Sequence, residues 1–140
     1  ISTMPDLQKT TLNPPNAPKP LGAYSHAVKV SPGSLVYIAG QVGVNANGNL
    51  VGPEVEAQTR QGFQNLGHVL AGAGATFANV VAFTTYLVGR SSIQPFLDAR
   101  TQLFPSRFPG GDYPPNTLLI IDGLVQDELL VEIKAVAALP

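Results

Sequence analysis

A chain of 140 residues, 44% of them apolar, has enough apolar surface for one core and too little length for two independent domains. Its formal net charge of −1 and 12% charged residues give no basic field for a polyanion, which counts against nucleic acid as a main partner. With no cysteine, disulfides, thiol nucleophiles and thiolate-held metals are excluded. His26 and His68 stand far apart in sequence, so no metal site is expected.

No stretch reaches the roughly 18 to 20 uncharged apolar residues of a membrane helix. Residues Ile1–Pro20 lack both a basic start and an apolar block, so the chain reads as cytosolic with no membrane partner. Low charge also points to hidden exterior, covered by other copies of the chain.

Pro5, Pro14, Pro15 and Pro18 precede Pro20 with no apolar period between them. This predicts an extended or disordered arm over 1–20, followed by a single domain over 21–140 that starts near Leu21. Ser25–Val30 and Leu35–Ala39 read as strands, and Ser31-Pro32-Gly33-Ser34 between them predicts a hairpin. Asn47-Gly48, between Gln41–Val44 and Leu50-Val51, predicts a short continuation of that meander. From Val55 the period becomes helical through Thr59, Gly62, Phe63, Leu66, Val69, Leu70 and Ala73, giving a helix from Pro53 to about Ala71. The following Gly72-Ala73-Gly74-Ala75-Thr76 is a helix stop, not a dinucleotide loop, because it follows a helix.

A strand over Asn79–Val88 comes next. Ser91 or Ser92 then caps a second helix carrying Ile93, Phe96, Leu97, Arg100, Leu103 and Phe104, with Pro105 ending it. The loop Pro105–Pro115 leads to two last strands, Thr117–Asp122 and Leu129–Leu139. This order gives an α+β fold in which two helices cover one face of a sheet. Several strands are apolar on both alternating sets, so the second face is expected against other subunits. In the last strand Val131, Ile133, Ala135 and Ala137 share one face, while Glu132 and Lys134 project from the face assigned to that interface.

Five segments, in order and with compatible spacing, resemble the RidA/YjgF family, also called endoribonuclease L-PSP. They are Gly22-Ala23-Tyr24-Ser25-His26-Ala27, Ile38-Ala39-Gly40-Gln41, Ala57-Gln58-Thr59 with Asn65-Leu66, Ala73-Gly74-Ala75 with Asn79-Val80-Val81 and Thr84, and Val131-Glu132-Ile133-Lys134-Ala135. The likeness covers about Leu21 to Leu139. It implies a chorismate-mutase-like fold with a mixed sheet, a barrel-like homotrimer, and small-molecule clefts between subunits. It also implies cofactor-free hydrolysis of reactive enamines or imines to keto acids and ammonia. In the family an arginine in a P-A-R-S/T segment grips the substrate carboxylate. Here that segment is Pro114-Pro115-Asn116-Thr117, and Leu97 stands where typical members carry an asparagine. An amide lacks the charge and the two-donor fork of a guanidinium. Losing that contact costs on the order of 1.5 to 3 kcal/mol, so a substrate less dependent on a carboxylate clamp is expected.

Glu132 and Tyr24 are the candidate catalytic residues. Imine hydrolysis needs a group that positions or deprotonates water and shuttles protons to the leaving nitrogen, and a phenol that donates a hydrogen bond. Glu132 read as an interface ion pair, with Lys134 or a neighbour's arginine, is the structural alternative. Gly40, Gln41, Asn116 and Arg107 are the candidate substrate-binding residues. Gly40 and Gln41 either expose backbone amides to a ligand or mark a bulge. Asn116 either binds a neutral carbonyl or caps local backbone. Arg107, read as lying in the loop before Asn116, either replaces the missing charge or is solvated. His26 reads as a strand residue. A non-catalytic module that binds a metabolite or a protein is the competing function, and ribonuclease activity ranks third.

Overall fold

A computed structural model of the chain describes residues 7–31 and 33–140. Its first helix, α1 (Val55–Gly72), buries Thr59, Gly62, Phe63, Leu66 and Leu70, most of the stripe expected from a 3.6-residue period, while Val69, also placed on that stripe, is exposed. Gln58 joins them with 0% exposure. Its amide donates to the carbonyls of Gly52 and Glu128 and accepts the Leu130 N–H, so a polar group inside the core is fully satisfied. Asn65 donates to the carbonyls of Val42 and Val44. Two residues of the helix signature therefore tie α1 to the loops beside it.

The main sheet has the order β3-β6-β4-β5, from β3 (Ser34–Val42), β4 (Val80–Val88), β5 (Asn116–Ile121) and β6 (Val131–Leu139). Strand β4 runs parallel to β5 and antiparallel to β6, so the sheet is mixed. The parallel pair needs a crossover, which α2 (Ile93–Arg107) supplies. Phe63 of α1 and Phe104 of α2 both pack on Phe83 of β4, with ring centroids 5.9 Å apart in each case. Both helices thus cover one sheet face. The opposite face carries Leu35, Tyr37 and Leu119, exposed by 43%, 77% and 44%, alongside Glu132 and Lys134. That is the apolar second face the sequence implies. Among the described residues no helix is long and apolar enough to cross a membrane.

Several expectations are corrected. The hairpin between Ser25–Val30 and Leu35–Ala39 does not form. Instead β2 (Ala27–Ser31) pairs antiparallel with β1 (Gln8–Leu12), and β3 pairs with β6. Long-range pairing with β6 outcompetes the local turn: Gly33 donates to Leu139 O at 2.7 Å, and a side chain at Gly33 would strike Pro140. Pro32, within that turn, lies outside the described residues.

A strand also lies upstream of Leu21, within the arm expected over 1–20. Strand β1 is extended as the arm was expected to be, but it is paired, and Lys9 Nζ reaches the Ala78 carbonyl. Its sequence Gln-Lys-Thr-Thr-Leu has no apolar alternation to announce it. Residues 1–6, Pro5 among them, lie outside the described residues. Finally, Pro105 sits inside α2 rather than ending it. The helix closes two residues later, where Phe108 N–H donates to Phe104 O at 2.8 Å. Arg107 is consequently the last residue of α2, not part of a loop. Ser92 does precede α2, but its hydroxyl turns back to Val88 O at 2.6 Å instead of capping.

Candidate functional site

Strand β3 slips register between Ile38, opposite Ala135, and Gln41, opposite Ile133. Two residues, Ala39 and Gly40, there face one residue of β6, which is a bulge. The Glu132 side chain fills the space beside Gly40: a Cβ built on that glycine would lie 2.4 Å from Glu132 Oε2. Gly40 therefore sits in a bulge, where the absence of a side chain leaves room for the Glu132 carboxylate. Among the described residues the one ion pair is Arg60 with Glu56, so Glu132 is not paired with Lys134. Gln41 donates its side-chain amide to Ala39 O at 3.0 Å, which braces the bulge.

The other candidates gather elsewhere. A pocket of about 260 Å³ is lined by Leu21, Gly22, Tyr24, Leu97, Arg100, Asn116 and Leu118. Leu97 and Arg100 come from α2, Asn116 and Leu118 from β5, and the rest from the segment entering β2. Tyr24 Oη accepts the Leu21 N–H at 3.3 Å, which leaves its own proton free to donate. Asn116 Oδ1 accepts from Thr85 Oγ1 at 2.8 Å, which leaves the amide N–H₂ as the available end. Tyr24 and Asn116 are thus brought together, as are Gly40 and Glu132. The two pairs are not: β3 and β5 are opposite edges of a four-stranded sheet, about 14 Å apart at the usual strand spacing.

Arg107 joins neither group. Its guanidinium packs 5.3 Å from the Phe77 ring centroid, and Nη1 donates to Leu103 O at 3.3 Å. It borders a different cavity, with Lys9 and Asp112. Burial, then the charge of Arg60, pushes its guanidinium below the ordinary range. His26 is exposed, with its ring against the Pro18 carbonyl.

The cation in the Tyr24–Asn116 pocket is Arg100, which sequence reasoning left as one more stripe residue of α2. It is 7% exposed, and its guanidinium carbon lies 5.6 Å and 5.9 Å from the ring centroids of Phe96 and Phe104. Burial pushes it below the ordinary arginine range, and the Tyr24 and Tyr113 phenols oppose that. The available signal was a permanent charge in the middle of an apolar stripe, since buried arginines are rare without a partner or a role.

The sequence matches the family model described as Endoribonuclease L-PSP over residues 14–139. A RutC family protein of Pyrococcus horikoshii is 30% identical over 123 residues, 87% of this chain and 91% of the other. A 2-iminobutanoate/2-iminopropanoate deaminase of Bos taurus is 36% identical over 107 residues, 76% of this chain and 77% of the other. Among solved structures, a protein of unknown function of the Rid family from Yersinia pestis superposes with a TM-score of 0.84. It is 38% identical, and the match covers 94% of this chain and 98% of that one.

Proposed function

Because this chain belongs to the endoribonuclease L-PSP family, that of the RidA/YjgF proteins, we propose that it is a RidA-type imine or enamine hydrolase. It acts on a small reactive metabolite in a cleft shared by two copies of the chain. The observation that carries this reading is the separation of the polar groups into two incomplete halves. Glu132 and Gly40 lie on a sheet face that the chain's helices leave open, while Tyr24 and Asn116 lie at the far edge strand. Apposing the open face of one copy to the β5 edge of the next brings a proton acceptor to a donor-rich pocket. A homotrimer of chorismate-mutase-like, barrel-like form does this while covering Leu35, Tyr37 and Leu119. The protein works in the cytoplasm and needs no cofactor for this chemistry.

In the cleft, Glu132 holds a water and takes its proton as the water oxygen adds to the imine carbon. The C=N electrons move onto nitrogen, which takes that proton from Glu132 to give an amino alcohol. Glu132 then takes the hydroxyl proton and delivers it to the leaving nitrogen as the C=O bond forms and the C–N bond breaks, releasing ammonia and a carbonyl compound. Tyr24 donates its phenolic hydrogen bond to the reacting heteroatom, and Asn116 Nδ2 and the backbone at Gly40–Gln41 orient the substrate. With Asn116 and Leu97 in the cleft, specificity departs from that of members that carry the strand-borne arginine.

Ammonia release from imines generated in situ from a panel of amino acids tests the reading. Acceleration over buffer that Glu132→Gln abolishes is expected. No acceleration for any imine, with Glu132→Gln indistinguishable from wild type, would favour the non-catalytic binding module. The Thr85–Asn116 hydrogen bond and the apolar Leu97 wall speak for that alternative.

A further inference from the structure

The pocket at the β5 edge holds a charge that the hydrolysis scheme leaves idle. Arg100 is 93% buried, being 7% exposed. Among the described residues no carboxylate pairs with it, and its Nε has no hydrogen-bond partner. The Phe96 and Phe104 rings hold the guanidinium plane by their π faces, but rings leave most of its five N–H donors unused. The neighbouring polar groups do not supply the acceptors. Tyr24 Oη already accepts from Leu21, and Asn116 Oδ1 from Thr85. What converges on the cavity is therefore donors: Arg100 N–H, Tyr24 O–H and Asn116 N–H₂. The backbone also makes room for the guanidinium, since a Cβ on Gly22 would stand 3.4 Å from Arg100 Nη2.

Within the single chain, this donor-rich cavity with one fixed cation lacks an anion of single charge with several acceptor lone pairs. We propose that Arg100 is the anion-binding residue of this pocket and that its ligand is a short aliphatic carboxylate. The charge absent from the start of β5 is supplied from α2 instead. Leu21, Leu97 and Leu118 line the same cavity of about 260 Å³, which suits a few methylene or methyl groups behind the carboxylate. It does not suit a strongly hydrated dianion such as phosphate. One guanidinium balances one negative charge, and its planar fork matches a carboxylate in two-point contact. This names the substrate class for the proposed hydrolase, and rests on that reading only for the substrate's nitrogen, not for its charge.

Calorimetric titration of the assembled protein with 2-oxobutanoate, with uncharged 2-butanone and with inorganic phosphate tests it, alongside light scattering of each variant. Wild type is expected to bind 2-oxobutanoate. Arg100→Met weakens that binding about 10- to 100-fold, the worth of one charge-assisted contact. Arg100→Lys weakens it less, because it keeps the charge and loses the fork. Arg90→Met, at an exposed arginine outside the pocket, leaves it unchanged, and 2-butanone distinguishes none of the variants. Equal affinity for 2-oxobutanoate in wild type and Arg100→Met overturns the proposal, as does tighter binding of phosphate than of the keto acid. So does dissociation of the oligomer in both Arg100 variants with keto-acid affinity intact, which makes Arg100 an interface ion-pair residue. Arg100-dependent binding without imine hydrolysis leaves this assignment standing and removes the hydrolase. Hydrolysis without keto-acid binding does the reverse.

Discussion

At the β5 edge, Tyr24, Arg100 and Asn116 sit in a pocket whose walls come from one chain: α2 on one side, β5 on another, and the segment entering β2 across the mouth. Near the opposite edge of the same sheet, Glu132 lies against Gly40 on a face that neither helix covers. In the first region, folding of a single chain has already gathered the groups into one pocket, so they are placed before any partner arrives. In the second, folding has fixed one carboxylate against a bulge and left its environment open. The contrast separates binding from chemistry. Under the proposed function, affinity for a ligand is written largely into one chain, while the reaction needs a second copy to lay a carboxylate over that ligand.

The largest effect expected from this division falls on turnover. Glu132→Gln removes the proton acceptor and keeps the shape, so imine hydrolysis should fall by about 10²- to 10⁴-fold. Affinity for 2-oxobutanoate should stay within about twofold if the contribution of Glu132 is chemical. Parallel steady-state kinetics and calorimetry read the two quantities separately, and equal losses in both would erase the distinction between the regions. Gly40→Ala is next. The added methyl falls 2.4 Å from Glu132 Oε2, so the carboxylate must move, and a displacement near 1 Å can cost on the order of 10²-fold in rate. A crystal structure of that variant should show Glu132 turned aside with the pocket around Arg100 unchanged.

Tyr37→Asp tests the uncovered face itself. Tyr37 is 77% exposed in the single chain, so the substitution should barely alter its fold. In an assembly it places a carboxylate where apolar surfaces meet, without a partner. Light scattering should show the oligomer giving way to monomer, with association weakened roughly tenfold to a hundredfold. Imine hydrolysis should fall in proportion to the oligomer lost. A variant that stays assembled and active would mean that some other surface unites the two regions.

Much of this could be read in advance. The helices announced themselves by period, and strands β3, β4 and β6 by β-branched runs, because both signals are local. The Glu132–Gly40 half was visible as a charge on an apolar strand and a glycine in the strand three earlier in chain order. What stayed hidden was pairing. Nothing in Gln8–Leu12 says that it will sit beside Ala27–Ser31, and a persuasive turn at 31–34 pointed to the wrong partner. Gln58 and Asn65 carried a signature but no role until their bonds to distant carbonyls were seen. Arg107, read as lying in the loop before Asn116, offers either the missing charge or a solvated side chain. Arg100 is the arginine that geometry brings to the cavity, from α2, while Pro105 leaves the helix intact long enough to carry Arg107 away toward Phe77.

If the charge has moved from strand to helix, returning it to the strand should compensate. Asn116→Arg in an Arg100→Met background places a guanidinium at the start of β5, within the same cavity lining. It breaks the Thr85–Asn116 hydrogen bond in doing so. The new cation should recover about tenfold of the keto-acid affinity lost in Arg100→Met. The recovery is partial, because Thr85 Oγ1 keeps a buried hydroxyl without its acceptor, at about 1 kcal/mol or more. In the wild-type background the same substitution should gain less than the rescue does. Two guanidiniums sharing one small cavity repel each other, and a single carboxylate cannot satisfy both. The difference between the two backgrounds, read by calorimetry as a coupling between positions 100 and 116, is the smallest of these effects and the most specific. Strictly additive effects of the two substitutions would place positions 100 and 116 in contact with different ligand groups.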